Sequence, residues 1–202
     1  MEIKEIIKKE MEAISRIPLD EDNIQEILNN IYEVIHEEQN EIRGNVVISG
    51  MGKAGHIGYN IAMTLSSTGT PSVFLHPSEA QHGDLGIIQN RDVLIVISNS
   101  GKTREIIELI DLAMNLELDI MTVSITGNKE SEVAKKTDFT ISIGNQQEIC
   151  PLGLTPTAST TAMTVIGDII VIKLMEMIGF TKEEYAKRHH GGYLNLKARG
   201  LE

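Results

Sequence analysis

The sequence predicts a doubly wound α/β sandwich around a parallel sheet, and three observations carry that prediction. Four short β-branched runs, at 46–49, 72–75, 93–98 and 120–125, alternate with segments of helical periodicity, and 139–143 is a fainter fifth. Strands separated by helices pair in parallel, because a crossover must carry the chain back to the starting edge. The runs are almost continuously apolar, so helices must cover both faces of the sheet.

Residues 1–44 read as two helices leading into this sheet, an N-terminal helical segment packing on a main domain over 45–202. In the second helix Ile24, Ile27, Leu28, Ile31, Tyr32 and Ile35 share one face, with acids between them. Gly44 punctuates, and the first strand then runs into Gly50-Met51-Gly52-Lys53-Ala54-Gly55. This has the form of a dinucleotide fingerprint, which needs an acid at the end of the second strand to hold a ribose. That place holds Leu75-His76-Pro77, and the loop lacks the G-x-x-x-x-G-K-[ST] of a Walker motif. Tight strand–helix packing alone would explain the glycines, but Lys53 at the mouth of a helix suits an anionic oxygen.

The third strand ends in Ser98-Asn99-Ser100-Gly101-Lys102-Thr103 and hands over to a helix with Ile106, Ile107, Leu109, Ile110 and Ala113 on its apolar side. Backbone amides opening a helix form an anion site. A helix cap explains one hydroxyl. Three hydroxyls around a glycine point instead to a phosphate monoester. After the fifth strand, Glu148 precedes Cys150-Pro151-Leu152-Gly153, a loop that can aim a carboxylate beyond the strand ends. Thr157 or Ser159 is expected to cap the long apolar helix that follows. Its stretch over 163–180 is interrupted by Asp168, Lys173 and Glu176, so it reads as a buried helix and not a membrane span. The tail from about 187 is polar and glycine-containing, an excursion outside the sheet.

A net charge of −11 disfavours nucleic acid and anionic membranes as partners. Cys150 is the only cysteine, which excludes an internal disulfide and fits a reducing compartment. The charged N-terminus MEIKEIIKKEMEAI has no secretory pattern, so a cytoplasmic location is expected. Neither His76 with His82 nor His189 with His190 has an established zinc spacing. No metal is therefore expected to be required, and His82 is at most an inhibitory metal contact.

The segments GMGKAGHIG, STGTPSVFLHPSEAQHGDLG, SNSGKTREI, EICPLGLTPTASTTA and HHGGYL, spread from about 45 to 194, together resemble the sugar isomerase (SIS) domain of arabinose-5-phosphate isomerases. The resemblance implies a flavodoxin-like SIS fold with a five-stranded parallel sheet. It also implies a homotetramer with sites at subunit interfaces, and cofactor-free interconversion of D-ribulose 5-phosphate and D-arabinose 5-phosphate. The matching catalytic positions are Lys53, His82, Glu105, Glu148 and His189. Gly52, Ser98, Asn99, Ser100, Gly101, Thr103 and Thr157 match the substrate-binding positions. Among the carboxylates, Glu148 is the expected base and Glu105, one turn into a helix, a positioning group. Family members commonly carry a pair of CBS modules after the SIS domain, and the chain reaches Glu202 without them; His190 also stands where the family has proline. Two other readings use the same motifs: another SIS isomerase, such as one acting on 3-hexulose 6-phosphate, and a sugar-phosphate sensor without turnover.

Overall fold

The computed structural model describes residues 1–36 and 43–201; the part of the helical lead-in over 37–42, and Glu202, lie outside the described residues. Five parallel strands form the sheet: β1 (Val46–Gly50), β2 (Ser72–Phe74), β3 (Val93–Ile97), β4 (Met121–Thr126) and β5 (Phe139–Ser142). Their order is β2-β1-β3-β4-β5, with β1 and β3 paired from Val46 beside Val93 to Gly50 beside Ile97. The order reverses between these two strands, and the loops after them flank the crevice where such sheets bind ligands.

Helices lie on both sides, as the apolar runs require. One face of the sheet carries Ile48, Ile95, Ile97, Val123 and Ile125. It packs against α2 (Glu21–His36), α3 (Lys53–Ser67) and α7 (Ala158–Met177). The other face, with Val47, Leu94 and Val96, meets α4 (Pro77–Ala80), α5 (Arg104–Met114) and α6 (Glu132–Lys136). α1 (Ile3–Ser15) packs on α7 from outside. The isoleucines of α2 named above are the face it buries, and each removes apolar area worth roughly 1.5–3 kcal/mol.

Two refinements of the expected elements follow from local chemistry. β2 is three half-buried residues at the sheet edge; Leu75 still donates its N–H to the Ile48 carbonyl at 2.8 Å, and Pro77 then opens α4. His82 lies in a turn between α4 and a short 3₁₀ helix, Asp84–Ile87. α7 has the length and apolarity to cross a membrane, yet Ala162, Met163, Ile166, Ile170 and Leu174 are buried in the core. Beyond it, α8 (Lys182–Arg188) and α9 (Tyr193–Ala198) form the excursion outside the sheet.

Candidate functional site

The loop after β3 is braced from below before it offers anything to a ligand. Ser98 is 2% exposed, and its Oγ lies 2.8 Å from Thr103 Oγ1 while accepting the Gly101 N–H at 3.1 Å. The end of β4 fixes the next residue: Thr126 Oγ1 and the Gly127 N–H both donate to the Asn99 carbonyl, at 3.3 and 3.0 Å. Gly101 has φ +61 and no room for a side chain, since a Cβ would overlap Ser131, the N-cap of α6. That glycine lets the loop seat closely on α6.

What remains presented is the outer rim. Ser100 is exposed and accepts the Lys102 N–H at 3.2 Å. Thr103 is the N-cap of α5, but its hydroxyl turns to Ser98 instead of capping. The Arg104 and Glu105 amides that begin this 11-residue helix therefore have no side-chain cap, the arrangement that favours an anion. Glu105, half-buried in the same turn, lies beside the rim.

Across the switch point, Lys53 is exposed at the start of α3, directly after Gly52, and among the described residues it forms no ion pair. The glycine fingerprint here is a packing device: a Cβ on Gly55 would stand 2.6 Å from the Gly50 carbonyl oxygen. His82 is exposed, and its turn is tied to α5 by Gln81 Nε2 donating to Glu108 Oε2 at 2.8 Å. Among the described residues no three His, Cys, Asp or Glu side chains group around a possible metal position.

Glu148 corrects the expected cap of α7. Thr157 occupies the N-cap position without a side-chain capping bond. Instead the Glu148 carboxylate reaches back to the helix end. Its Oε2 accepts from the Thr157 N–H (2.7 Å), the Thr157 hydroxyl (3.1 Å) and the Ser159 N–H (3.4 Å), and its Oε1 accepts from the Ser159 hydroxyl. A negative charge at a helix N-terminus is favourable, so the helix both holds the carboxylate and is stabilised by it. The Thr157 hydroxyl also accepts the Ile149 N–H at 3.0 Å, which fixes the residue directly after Glu148. Glu148 and Asn99 line one open depression of about 610 Å³, so the structure brings this carboxylate beside the β3 loop. Two residues on, Cys150 Sγ accepts the Leu154 and Thr155 N–H groups at 3.3 and 3.1 Å, which lowers its pKa to about 7.

His189 is placed elsewhere. Its ring stacks on Tyr185, with centroids 3.7 Å apart, and Tyr185 meets Phe180 edge-on. Phe180 in turn lies over Gly69, in the turn that enters β2. This cluster therefore sits at the amino edge of the sheet, while Ser98 and Glu148 sit at the carboxyl edge. α7, 20 residues and so about 30 Å long, separates them. One chain does not bring His189 to Glu148. The sequence signal for this was present in the order of elements: a tail that follows a helix returning from the strand ends starts at the far edge.

These features define an open α/β domain with a hydroxyl-rich, helix-opening loop at its switch point and a carboxylate held beside it. The SIS domain family matches residues 42–173, and the chain belongs to that family. It is 45% identical over 189 residues to the arabinose 5-phosphate isomerase KdsD of Shigella flexneri, covering 94% of this chain and 56% of that protein. The chain thus spans about half the length of the curated relatives it matches. A solved structure from Bacteroides fragilis NCTC 9343, provisionally described as a phosphosugar isomerase involved in capsule formation, superposes with a TM-score of 0.89 at 55% identity, covering 95% of this chain and 97% of that one. An Escherichia coli CFT073 protein solved in complex with a sugar phosphate gives a TM-score of 0.82 at 31% identity over 94% of this chain and all of that one.

Proposed function

We propose that the chain interconverts D-ribulose 5-phosphate and D-arabinose 5-phosphate through an enediol. The observation that carries this reading is the Glu148 carboxylate, held by α7 in the same depression as the β3 loop. Isomerase relatives at 45% identity and a neighbour bound to a sugar phosphate support the substrate class.

The phosphate is assigned to the rim of the β3 loop, with Ser100, Thr103 and the Arg104 and Glu105 amides of α5 as donors and Lys53 as the nearby cation. Aldose–ketose exchange moves a proton between C1 and C2 and needs a base near neutral pH. A carboxylate has about four lone-pair positions. Three donors crowd Oε2 and one engages Oε1, which leaves Oε1 a free lone pair for the proton. Arabinose 5-phosphate closes a ring through its 4-hydroxyl, so an acid–base group for ring opening is also needed. His189 fits that task only from another copy of the chain. A homotetramer with composite sites is therefore part of the proposal, as is a cytoplasmic location.

Purified protein screened against pentose and hexose phosphates tests the reading. Turnover restricted to ribulose and arabinose 5-phosphates is the expected outcome. Turnover of a hexulose phosphate alone, or binding without turnover, would transfer the site to one of the two rival readings.

A further inference from the structure

Helix α1 buries little of its own apolar surface. Only Ala13 of its 13 residues is buried. Ile3, Ile7, Met11 and Ile14 are instead 78, 56, 64 and 38% exposed. Their spacing puts them in one stripe along the helix, so α1 turns a continuous apolar seam outward. With the exposed Ile6 beside it, the seam presents on the order of 500 Å² of apolar surface, at the upper end of what isolated monomers show. It is also a large part of the roughly 800 Å² that each partner gives to a standard interface. α1 rests on α7, whose Ile172 is also exposed.

We infer that this seam docks a second copy of the chain, α1 lying antiparallel on the partner's α1 about a twofold axis. The stripe reads nearly the same from either end. Turned head to tail, it sets Ile3 opposite the partner's Ile14 and Ile7 opposite the partner's Met11. An isologous contact needs this self-complementarity. A membrane is the poorer occupant: four acids and four bases cancel between residues 2 and 16, and a membrane-surface helix needs a basic polar face. Lys8 and Lys9 are moreover bridged to Glu12 and Glu5 of the same helix.

The seam is coupled to the site. Lys9, Ala13 and Arg16 line a cleft of about 410 Å³ whose opposite wall is the segment 146–151, which carries Glu148. At its base Gly144 lies against Pro18 and the Arg16 carbonyl. A partner helix that braces α1 therefore braces the Glu148 loop as well. The inference specifies one contact of the assembly proposed above, and its test is kept separate from the activity.

Ile7→Glu with Met11→Glu should at least halve the particle mass in size-exclusion light scattering, with an unchanged circular dichroism spectrum. An unchanged mass overturns the inference. Should that pair impair folding, Ile7→Cys and Met11→Cys chains, each in a Cys150→Ser background, give a second test. A disulfide dimer should form when the two are co-expressed and oxidised, and not with either alone. Cross-linking of either alone, or none in the mixture, overturns it equally. Turnover of ribulose 5-phosphate by the unsubstituted chain is read apart from both: an inactive chain that cross-links sinks only the activity, and an active chain that does not sinks only the interface.

Discussion

The two edges of the sheet are held together differently. At the carboxyl edge, hydroxyls, amides and a carboxylate bond to one another across loops: Ser98 to Thr103, Thr126 to Asn99, Glu148 to Thr157 and Ser159. At the amino edge, Phe180, Tyr185 and His189 hold the tail by ring contacts, with Asn195 Nδ2 donating to the carbonyls of Ala186 and His189. The first edge carries polar groups whose geometry is fixed before a ligand arrives. The second places a histidine on a small tail that Phe180 seats against Gly69 at the entry to β2. Chemistry that needs both edges must recruit the second from another copy.

The largest expected effect tests the first edge. Glu148→Gln keeps shape and most hydrogen bonds but cannot take a proton, so turnover should fall by ~10²–10⁴ while phosphate binding survives. The same change removes a charge from the α7 N-terminus and should lower stability by about 0.3–1 kcal/mol in urea unfolding. Near-normal turnover would move the base to His189 or Glu105. In the β3 loop, Ser98→Ala and Ser100→Ala should separate support from presentation. Ser98→Ala strips the partner of Gly101 and Thr103 inside the fold and should cost about 1–3 kcal/mol of stability. Ser100→Ala should leave stability within about 0.5 kcal/mol and weaken sugar-phosphate binding in titration calorimetry. Equal effects of the two on stability would erase the distinction between base and rim of the loop.

At the amino edge, His189→Ala should cost about 0.5–1.5 kcal/mol through the lost Tyr185 stack, and should leave phosphate affinity unchanged. Mixed under conditions that exchange subunits, inactive Lys53→Ala and His189→Ala chains should regain some turnover. No recovery despite exchange would return the whole site to one chain. The smallest effect is a titration. Two amides favour the Cys150 thiolate, so iodoacetamide alkylation should rise with pH through about 7. A midpoint near the unperturbed 9.0 would show that the loop beside Glu148 is not ordered as described.

The sheet was legible in the sequence because buried parallel strands leave little freedom of composition. Even the faint run at 139–143 is realised as β5, since Ile141 and Ile143 still had to face the core. The phosphate-type loop was legible for a similar reason, as small residues at a strand end have few other uses. The cap of α7 was not. Thr157 and Ser159 are the residue types that cap helices, and only the path of the loop shows that Glu148, nine residues before Thr157, reaches the helix end first. The use of Gly101 was hidden likewise, because its neighbour Ser131 comes from the next crossover. Long-range contacts of that kind have no local sequence signature. His189 could be recognised as a residue type in a motif, but its position at the opposite sheet edge depends on the length and direction of α7.

The central claim is that the carboxyl edge supports proton transfer between adjacent carbons of a sugar phosphate. Ribulose 5-phosphate incubated with the purified chain in D₂O and followed by NMR tests it most directly. Protonation of an enediol at C2 by a base that exchanges with solvent yields arabinose 5-phosphate carrying deuterium at C2, in full or in part, and that is the predicted result. Saturable binding of ribulose 5-phosphate with no arabinose 5-phosphate formed would contradict the claim and leave the site a sugar-phosphate receptor.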